Sequence, residues 1–430
     1  MSRVLLLIPS RSYRAPDFME AAARLGVEVV VGSDVRNPLE QLADGHMLGL
    51  DFATPEAGAA EIERFAERHP LDTIVAVDDG GALVAARAAR RLELPYNSVA
   101  SVEATRNKAL LRERIESAGI ASPEHHVLMT SDDPSAAAAA ITYPVVLKPL
   151  ALSGSKGVIR ANDADEFVAA FERVRTLLGS SAAVDECGAE LADRVLIEGY
   201  VSGAEVSVEG ILDAGRLRVL AIFDKPDPLE GPFFEETIYV TPSRLPEDDQ
   251  RRITEVTEQA CAALGLVDGP IHAELRINSE GIFPLDIAAR SIGGLCSRTL
   301  SFGTGMSLEE LLLRHAIGAD VPSYEREASA AGVMMIPIPA RGTLLAVRGA
   351  REAEAVPLID SVTISMHIGS DVVPLPEGGE YLGFIFSRGE TPDDVEAALR
   401  EAHDRLSFEI GQTPRAIASR SLDEESIEGR

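Results

Sequence analysis

Residues 270–290 read PIHAELRINSEGIFPLDIAAR, and the register of this stretch decides how the chain folds and what it can hold. Apolar and polar residues alternate on both sides of Ser279-Glu280-Gly281, the pattern of two strands joined by a tight turn. With Gly281 at the left-handed position of a three-residue loop, Asn278 faces Ile282. That register puts Ile271, Ala273, Leu275 and Ile277 on one face with Phe283, Leu285, Ile287 and Ala289, an apolar surface that should be core. The other face carries His272, Glu274 and Arg276 across from Asp286 and Arg290, and Glu274 falls directly opposite Asp286. Opposed side chains on an antiparallel pair sit roughly 5 Å apart, where like charges repel. Either one carboxyl keeps its proton or a cation bridges the two. An all-oxygen pair suits Mg2+ shared with phosphate groups. A register one residue off would instead leave both acids in solvent. His272 has no second ligand at zinc spacing.

Upstream lies a second unusual stretch, VVLKPLALSGSKGV, residues 145–158. It holds two of only four lysines, Lys108, Lys148, Lys156 and Lys225, among 40 basic residues. A compact ammonium acts as a point charge against a crowded phosphate where a planar guanidinium does not fit. Ser153, Gly154, Ser155 and Gly157 are small enough for backbone N–H groups to approach an anion, although a plain flexible turn reads the same way. The GxxxxGK[ST] loop and a GxSxG elbow are both absent. Residues 195–208, VLIEGYVSGAEVSV, set Glu198 and Glu205 on either side of Val201. This segment can offer a carboxylate and backbone groups to an adenine edge at one end and a ribose at the other. A hairpin with solvated glutamates fits the same residues.

At 430 residues the chain exceeds one core, so several domains are expected. Its net charge of −29 excludes a broad nucleic-acid or anionic-membrane footprint, and an anionic ligand would need a local positive site. Three widely spaced cysteines give no disulfide framework. The apolar runs are too short to span a bilayer, and Val4–Ile8 reads as a first strand and not as a targeting segment. The expected compartment is the cytoplasm. Strand and helix alternate over the first hundred residues, with helices near Asp17–Leu25 and Pro55–Arg68, which indicates a parallel sheet. No GxGxxG follows the first strand, so a dinucleotide site is not expected. A helix carrying Lys108 should run from about Glu103 to Gly119. Short strands in VMMIPIPARGTLLAVRG, SVTISMHI and YLGFIFSRG and the helix TPDDVEAALREAHDRL indicate a separate α+β domain.

Taken in order, these motifs resemble the ATP-grasp superfamily of carboxylate–amine ligases, most closely the L-amino-acid ligase branch, over nearly the full length. The resemblance implies an ATP-grasp fold, α/β and α+β. It divides the chain into an N-terminal half-Rossmann (pre-ATP-grasp) domain over 1–102, an ATP-grasp domain over 103–325 with a lid subdomain at about 140–205, a C-terminal α+β domain over 326–415, and a polar tail over 416–430. It implies ATP and Mg2+, with Mn2+ as an alternative, small carboxylate and amine substrates, and a homodimer. Lys108 and Lys148 are similar to lysines that reach the α-phosphate, and Ser153–Gly157 to the lid loop over the β- and γ-phosphates. Glu198, Val201 and Glu205 are similar to the adenine and ribose contacts, Glu274 and Asp286 to the metal pair, and Arg290 to the arginine near the transferring phosphoryl group. Lys225, Glu235 and Glu236, in FDKPDPLEGPFFEET, resemble the substrate-side loop, and Gly293 and Gly294, in RSIGGLCSR, the carboxylate-binding turn. Three residues depart from the family pattern: Asp286 where glutamate is usual, Ala288 where asparagine is common, and Gly199 at the adenine hinge. The resemblance implies activation of a carboxylate, expected to be an amino acid, as an acyl phosphate and its joining to an amine with release of ADP and phosphate. Two other readings stand beside it: a biotin-carboxylase-like enzyme, suggested by the C-terminal strands, and a nucleotide-binding module without catalysis.

Overall fold

The computed structural model describes residues 2–35 and 45–411; the polar tail expected at 416–430 lies outside the described residues. The N-terminal strands form a parallel sheet in the order Met47–Gly49, Glu28–Ser33, Arg3–Leu7, Thr73–Ala76. Val4, Leu5, Leu6 and Leu7 are fully buried because helices cover both faces of their strand. Arg3–Leu7 and Thr73–Ala76 are neighbours whose following loops lead to different helices, Ala15–Leu25 and Asp79–Arg91. Such a switch point opens a crevice at the carboxyl ends of the strands.

The helix expected over 103–119 is two helices, Val99–Arg106 and Lys108–Ser117. Asn107 separates them. Its backbone is extended, with φ −127, and its side chain accepts from the N–H groups of Ala109 and Leu110, which makes it an N-cap. Lys108 therefore opens a helix that begins in the cavity wall, where its own N–H donates to the Leu150 carbonyl at 3.0 Å.

Two sheets enclose the centre of the molecule. The smaller is antiparallel, in the order His125–Met129, Arg194–Gly199, Val145–Pro149, Ile159–Ala161, and packs on the helix Ala164–Leu178. The larger has eight strands: Gly281–Ala288, Gly269–Asn278, Ala204–Asp213, Arg216–Asp224, Ile238–Thr241, Ala330–Ile336, Gly383–Gly389 and Ile359–Ile364. Glu198 and Glu205 thus lie on different sheets, and residues 200–203 are a crossing between them and not a hairpin turn. Gly203 (φ +118) is required there, since a Cβ would come within 2.2 Å of the Ile277 carbonyl oxygen.

The hairpin at 270–290 has the expected pairing at its functional end and a different one at its turn. The turn is two residues, Ser279-Glu280, with Asn278 Oδ1 accepting from the N–H groups of Glu280 and Gly281. Asn278 consequently pairs with Gly281, and Ile282 and Pro284 are the buried residues. Phe283 and Leu285, expected in the core, are only half-buried, because a shift of one residue exchanges the faces of a strand. A bulge at Leu285 restores the register, so that Glu274 faces Asp286.

Strands beyond residue 325 extend the same large sheet, with Ile238 opposite Met334 and Ala330–Ile336 alongside Gly383–Gly389. The boundary expected near 325 lies in the loop before Ala330–Ile336, a strand that continues the large sheet. The helix Pro392–Asp404, capped by Thr391, buries Val395, Ala398, Leu399 and Ala402 against this extension. Asp371–Val372, Gly342–Arg348 and Ser407–Gly411 make a separate three-stranded sheet. Among the described residues no helix is long and apolar enough to cross a membrane.

Candidate active site

A cavity of about 1110 Å3 lies between the two sheets and the crevice of the N-terminal sheet. Lys108, Lys148 and Lys156 line it, and Lys225 is buried under its floor. One wall is the face of the hairpin carrying His272, Glu274, Arg276, Asp286 and Arg290. Lys108 Nζ lies 3.3 Å from Asp286 Oδ2 and donates to the Leu152 carbonyl at 3.1 Å.

On the opposite sheet Lys148 and Glu198 are paired at 2.6 Å. Glu198 also accepts from Arg112 Nε at 2.6 Å. Burial alone would raise the Glu198 pKa, but the charges of Arg112 and Lys148 overcome it and hold the carboxyl at about 2. Arg112 is fully buried, and sequence reasoning missed it. Its two terminal nitrogens donate to the carbonyls of Pro284 and Leu285, both at 2.6 Å. These are the carbonyls displaced by the bulge, so one guanidinium ties the acid of the small sheet to the strand that presents Asp286. The available signal was an arginine beside Leu111 on the buried side of the helix Lys108–Ser117.

Ser153, Gly154, Ser155 and Lys156 form a turn over the cavity, with φ of +63 at Gly154 and +55 at Ser155. Gly157 donates to the Pro376 carbonyl at 2.8 Å, which docks the turn against the C-terminal part of the chain, and Lys156 pairs with Glu186 of the helix Ser181–Cys187. Val201 is at the edge of the cavity, and its carbonyl accepts from Arg276 at 2.6 Å. Arg276 also donates to Glu205 at 2.8 Å and to the Leu229 carbonyl.

Glu205, Glu236 and Glu274 bring carboxylate oxygens within 4.8 Å of one another. Lys225 sits among them, 2.8 Å from Glu205, bonded to Glu236 and 3.7 Å from Glu274. Its ammonium pKa is raised well above the usual value: burial opposes the charge, but the three carboxylates outweigh it. Glu235 is half-buried and is not part of the cavity lining, whereas Glu236 is. Gly293 and Gly294 line the cavity in the turn after Ser291. Arg290 is held by Asp79 at 2.8 Å, an acid at the carboxyl end of a parallel strand whose position was its only sequence signal.

The donor set fits a hard divalent cation. Glu274 is pushed up to about 8, by burial first and then by the charge of Glu236, against the opposing pull of Lys225. Crowded carboxylates of this kind are relieved by a proton or by a metal ion. The sign of the linkage follows. Below its unfolded value of 4.5 Glu274 is protonated in both states; above that the folded protein keeps a proton the unfolded chain has lost. Stability of the metal-free protein is therefore expected to fall as pH rises from there through about 8. Mg2+ must displace that proton, so the rise in Tm on adding Mg2+ should be larger at about pH 8.5 than at about pH 6. An equal rise at both would remove Glu274 from the metal site.

Comparison with known proteins agrees with this architecture. The description "ATP-grasp N-terminal domain" matches residues 19–96, "ATP-grasp domain" residues 141–299, and "L-amino acid ligase C-terminal domain 2" residues 310–411. The chain belongs to the ATP-grasp proteins. Within them its C-terminal part is of the L-amino acid ligase type. It is 30% identical over 279 residues to alanine–anticapsin ligase of Bacillus subtilis, a match covering 61% of this chain and 58% of that one. It is 28% identical over 230 residues to dapdiamide A synthase of Enterobacter agglomerans, covering 53% and 52%. The matches span little more than half the length of these relatives. The crystal structure of L-amino acid ligase from Bacillus licheniformis superposes with a TM-score of 0.79 at 24% identity, over 96% of this chain and 99% of that one, which establishes the fold.

Proposed function

We propose that the protein is an ATP-dependent carboxylate–amine ligase that activates an amino acid as its acyl phosphate and joins it to an amine, releasing ADP and phosphate. The observation that carries this reading is the opposition of Glu274 and Asp286 on a wall shared with Lys108 and Arg290, facing Lys148 and Lys156. A carboxylate does not react with an amine at neutral pH; transfer of a phosphoryl group to it supplies a leaving group. Such transfer relies on positioning and on spreading charge, which is what this wall offers.

In this reading Glu274 and Asp286 hold Mg2+, with Mn2+ as the alternative, and the metal when bound neutralises charge on the phosphates. Lys108 and Lys148 contact the α-phosphate, while Ser153–Gly157 with Lys156 covers the β- and γ-phosphates and excludes water from the acyl phosphate. Glu198 and Val201 meet the adenine and Glu205 the ribose. Arg290 faces the transferring group, and Gly293 and Gly294 bind the carboxylate. Glu236, more than Glu235, receives the ammonium of the incoming amine, with Lys225 bonded to it from below. The proposal extends to a homodimer and a cytoplasmic setting.

Proteinogenic amino acids assayed in pairs with ATP and Mg2+ test it. ADP and phosphate should appear in equal amounts, and only when both an acceptor carboxylate and an amine are present. Formation of AMP and pyrophosphate, or no turnover with any pair, would overturn the ligase reading. Dependence on bicarbonate in place of an amine would favour the carboxylase.

A further inference from the structure

Asp79 lies outside the hairpin and both lysine-bearing segments, yet it stands at the centre of the cations on the cavity wall. Its Oδ2 accepts from Arg290 Nη2 at 2.8 Å and Nε at 3.1 Å, and its Oδ1 is 3.9 Å from Arg106. Burial works to raise its pKa, but the charges of Arg290 and Arg106, with Lys108 behind them, hold it at about 2. The next two residues after Arg290 are also gripped. Arg14, fully buried, donates to Ser291 Oγ at 2.6 Å and to Glu309 at 2.9 Å. Glu209, equally buried, accepts from the Ile292 N–H at 2.9 Å. Three successive residues are thus each held by an ionisable side chain from a different part of the chain, and two of those holders come from the N-terminal crevice, Arg14 from the turn before the helix Ala15–Leu25 and Asp79 from the first position of the helix Asp79–Arg91.

A turn that only has to reverse the chain needs no such hold. Arginine carries substantial rotamer entropy, which an unrestrained side chain would have to lose during the reaction. Arg290 has five N–H donors. Nε and Nη2 are used on Asp79, and Nη1 donates to the Ser291 carbonyl at 3.0 Å. One N–H on each terminal nitrogen is left for a ligand.

We propose that Asp79 is a positioning residue for Arg290, fixing the guanidinium in the wall before the phosphoryl group arrives. This rests on the ligase reading of the site. A donor fixed in advance stabilises developing charge without reorganising at the moment of reaction. The N-terminal domain is then a working part of the active site, and Arg14 and Glu209 keep the backbone behind Arg290 in register.

The test is Asp79→Asn in the full chain, which keeps the shape and removes the charge. Its kcat should fall by about 10²-fold, with the KM for ATP changed by less than about threefold. Asp79→Glu should recover part of the loss. The double variant with Arg290→Lys should lose no more than Arg290→Lys alone, since both act through one contact. Amide hydrogen exchange of the ligand-free protein reads the hold without catalysis: residues 291–294 should exchange about tenfold faster in Asp79→Asn, and the strand Gly269–Asn278 unchanged. An unchanged kcat, even with a lowered Tm, makes Asp79 merely structural and overturns the proposal. A raised kcat makes the contact inhibitory and overturns it as well, as does unaltered exchange. Wild-type protein inactive on every pair sinks the ligase reading, and the exchange experiment then decides alone whether Asp79 holds this segment.

Discussion

Glu274→Gln is expected to lose at least about 10³-fold in kcat while remaining folded. Several kcal/mol of charge stabilisation by a metal ion corresponds to a factor of this size. The substitution keeps the volume and one oxygen, so the pairing of Gly269–Asn278 with its two neighbours has no reason to change. It removes one negative charge from a site where Glu205, Glu236 and Asp286 all act to keep Glu274 protonated. At pH above about 8 the variant should therefore be at least as stable as the metal-free wild type, and its Tm should no longer respond to Mg2+. Phosphate release and thermal unfolding on the same preparation check both halves. Retained turnover would refute the metal assignment, and loss of turnover accompanied by unfolding would show only that the hairpin had been disturbed.

The second large effect belongs to Arg112. Arg112→Met fills most of the same space but leaves Glu198 without one of its two cations and the carbonyls of Pro284 and Leu285 without donors. Breaking a buried pair from one side typically costs about 3–5 kcal/mol, because the remaining charge stays desolvated. Each orphaned carbonyl adds to that cost. The urea midpoint should drop accordingly, and KM for ATP should rise as Lys148 and Glu198 lose their fixed geometry. A change below about 1 kcal/mol would mean that the bulge is held by the hairpin itself and not by the arginine.

What could be read from the residues depended on how local the cause was. The opposition of Glu274 and Asp286 was read from alternation together with a three-residue turn. Its correct outcome, however, came from two compensating features, a shorter turn and a bulge at Leu285. The bulge had no sequence signal of its own, because its partner, Arg112, comes from a helix more than 170 residues earlier. Lysine scarcity marked Lys108, Lys148 and Lys156 because composition is independent of fold. Asn107 was misread as helix interior, since its capping role depends on an extended φ that the pattern of apolar residues does not encode. Long-range partners such as Asp79 with Arg290, 211 residues apart, emerge only when the N-terminal crevice is set against the hairpin. The continuity of the large sheet past residue 325 was hidden for a similar reason: Ile238–Thr241 is four residues long and joins Arg216–Asp224 to Ala330–Ile336, with a long helix and the whole 270–290 hairpin intervening in the chain.

On the proposed acyl-phosphate route a substrate carboxylate oxygen ends in the released phosphate. An amino acid labelled with 18O in its carboxylate, turned over with ATP, Mg2+ and an amine, tests it by mass spectrometry of the products. Attack of the carboxylate on the γ-phosphorus, followed by displacement of phosphate by the amine, predicts one labelled oxygen in each phosphate released. Label in AMP, or phosphate with none, would contradict the acyl-phosphate route and with it the functional account of this site.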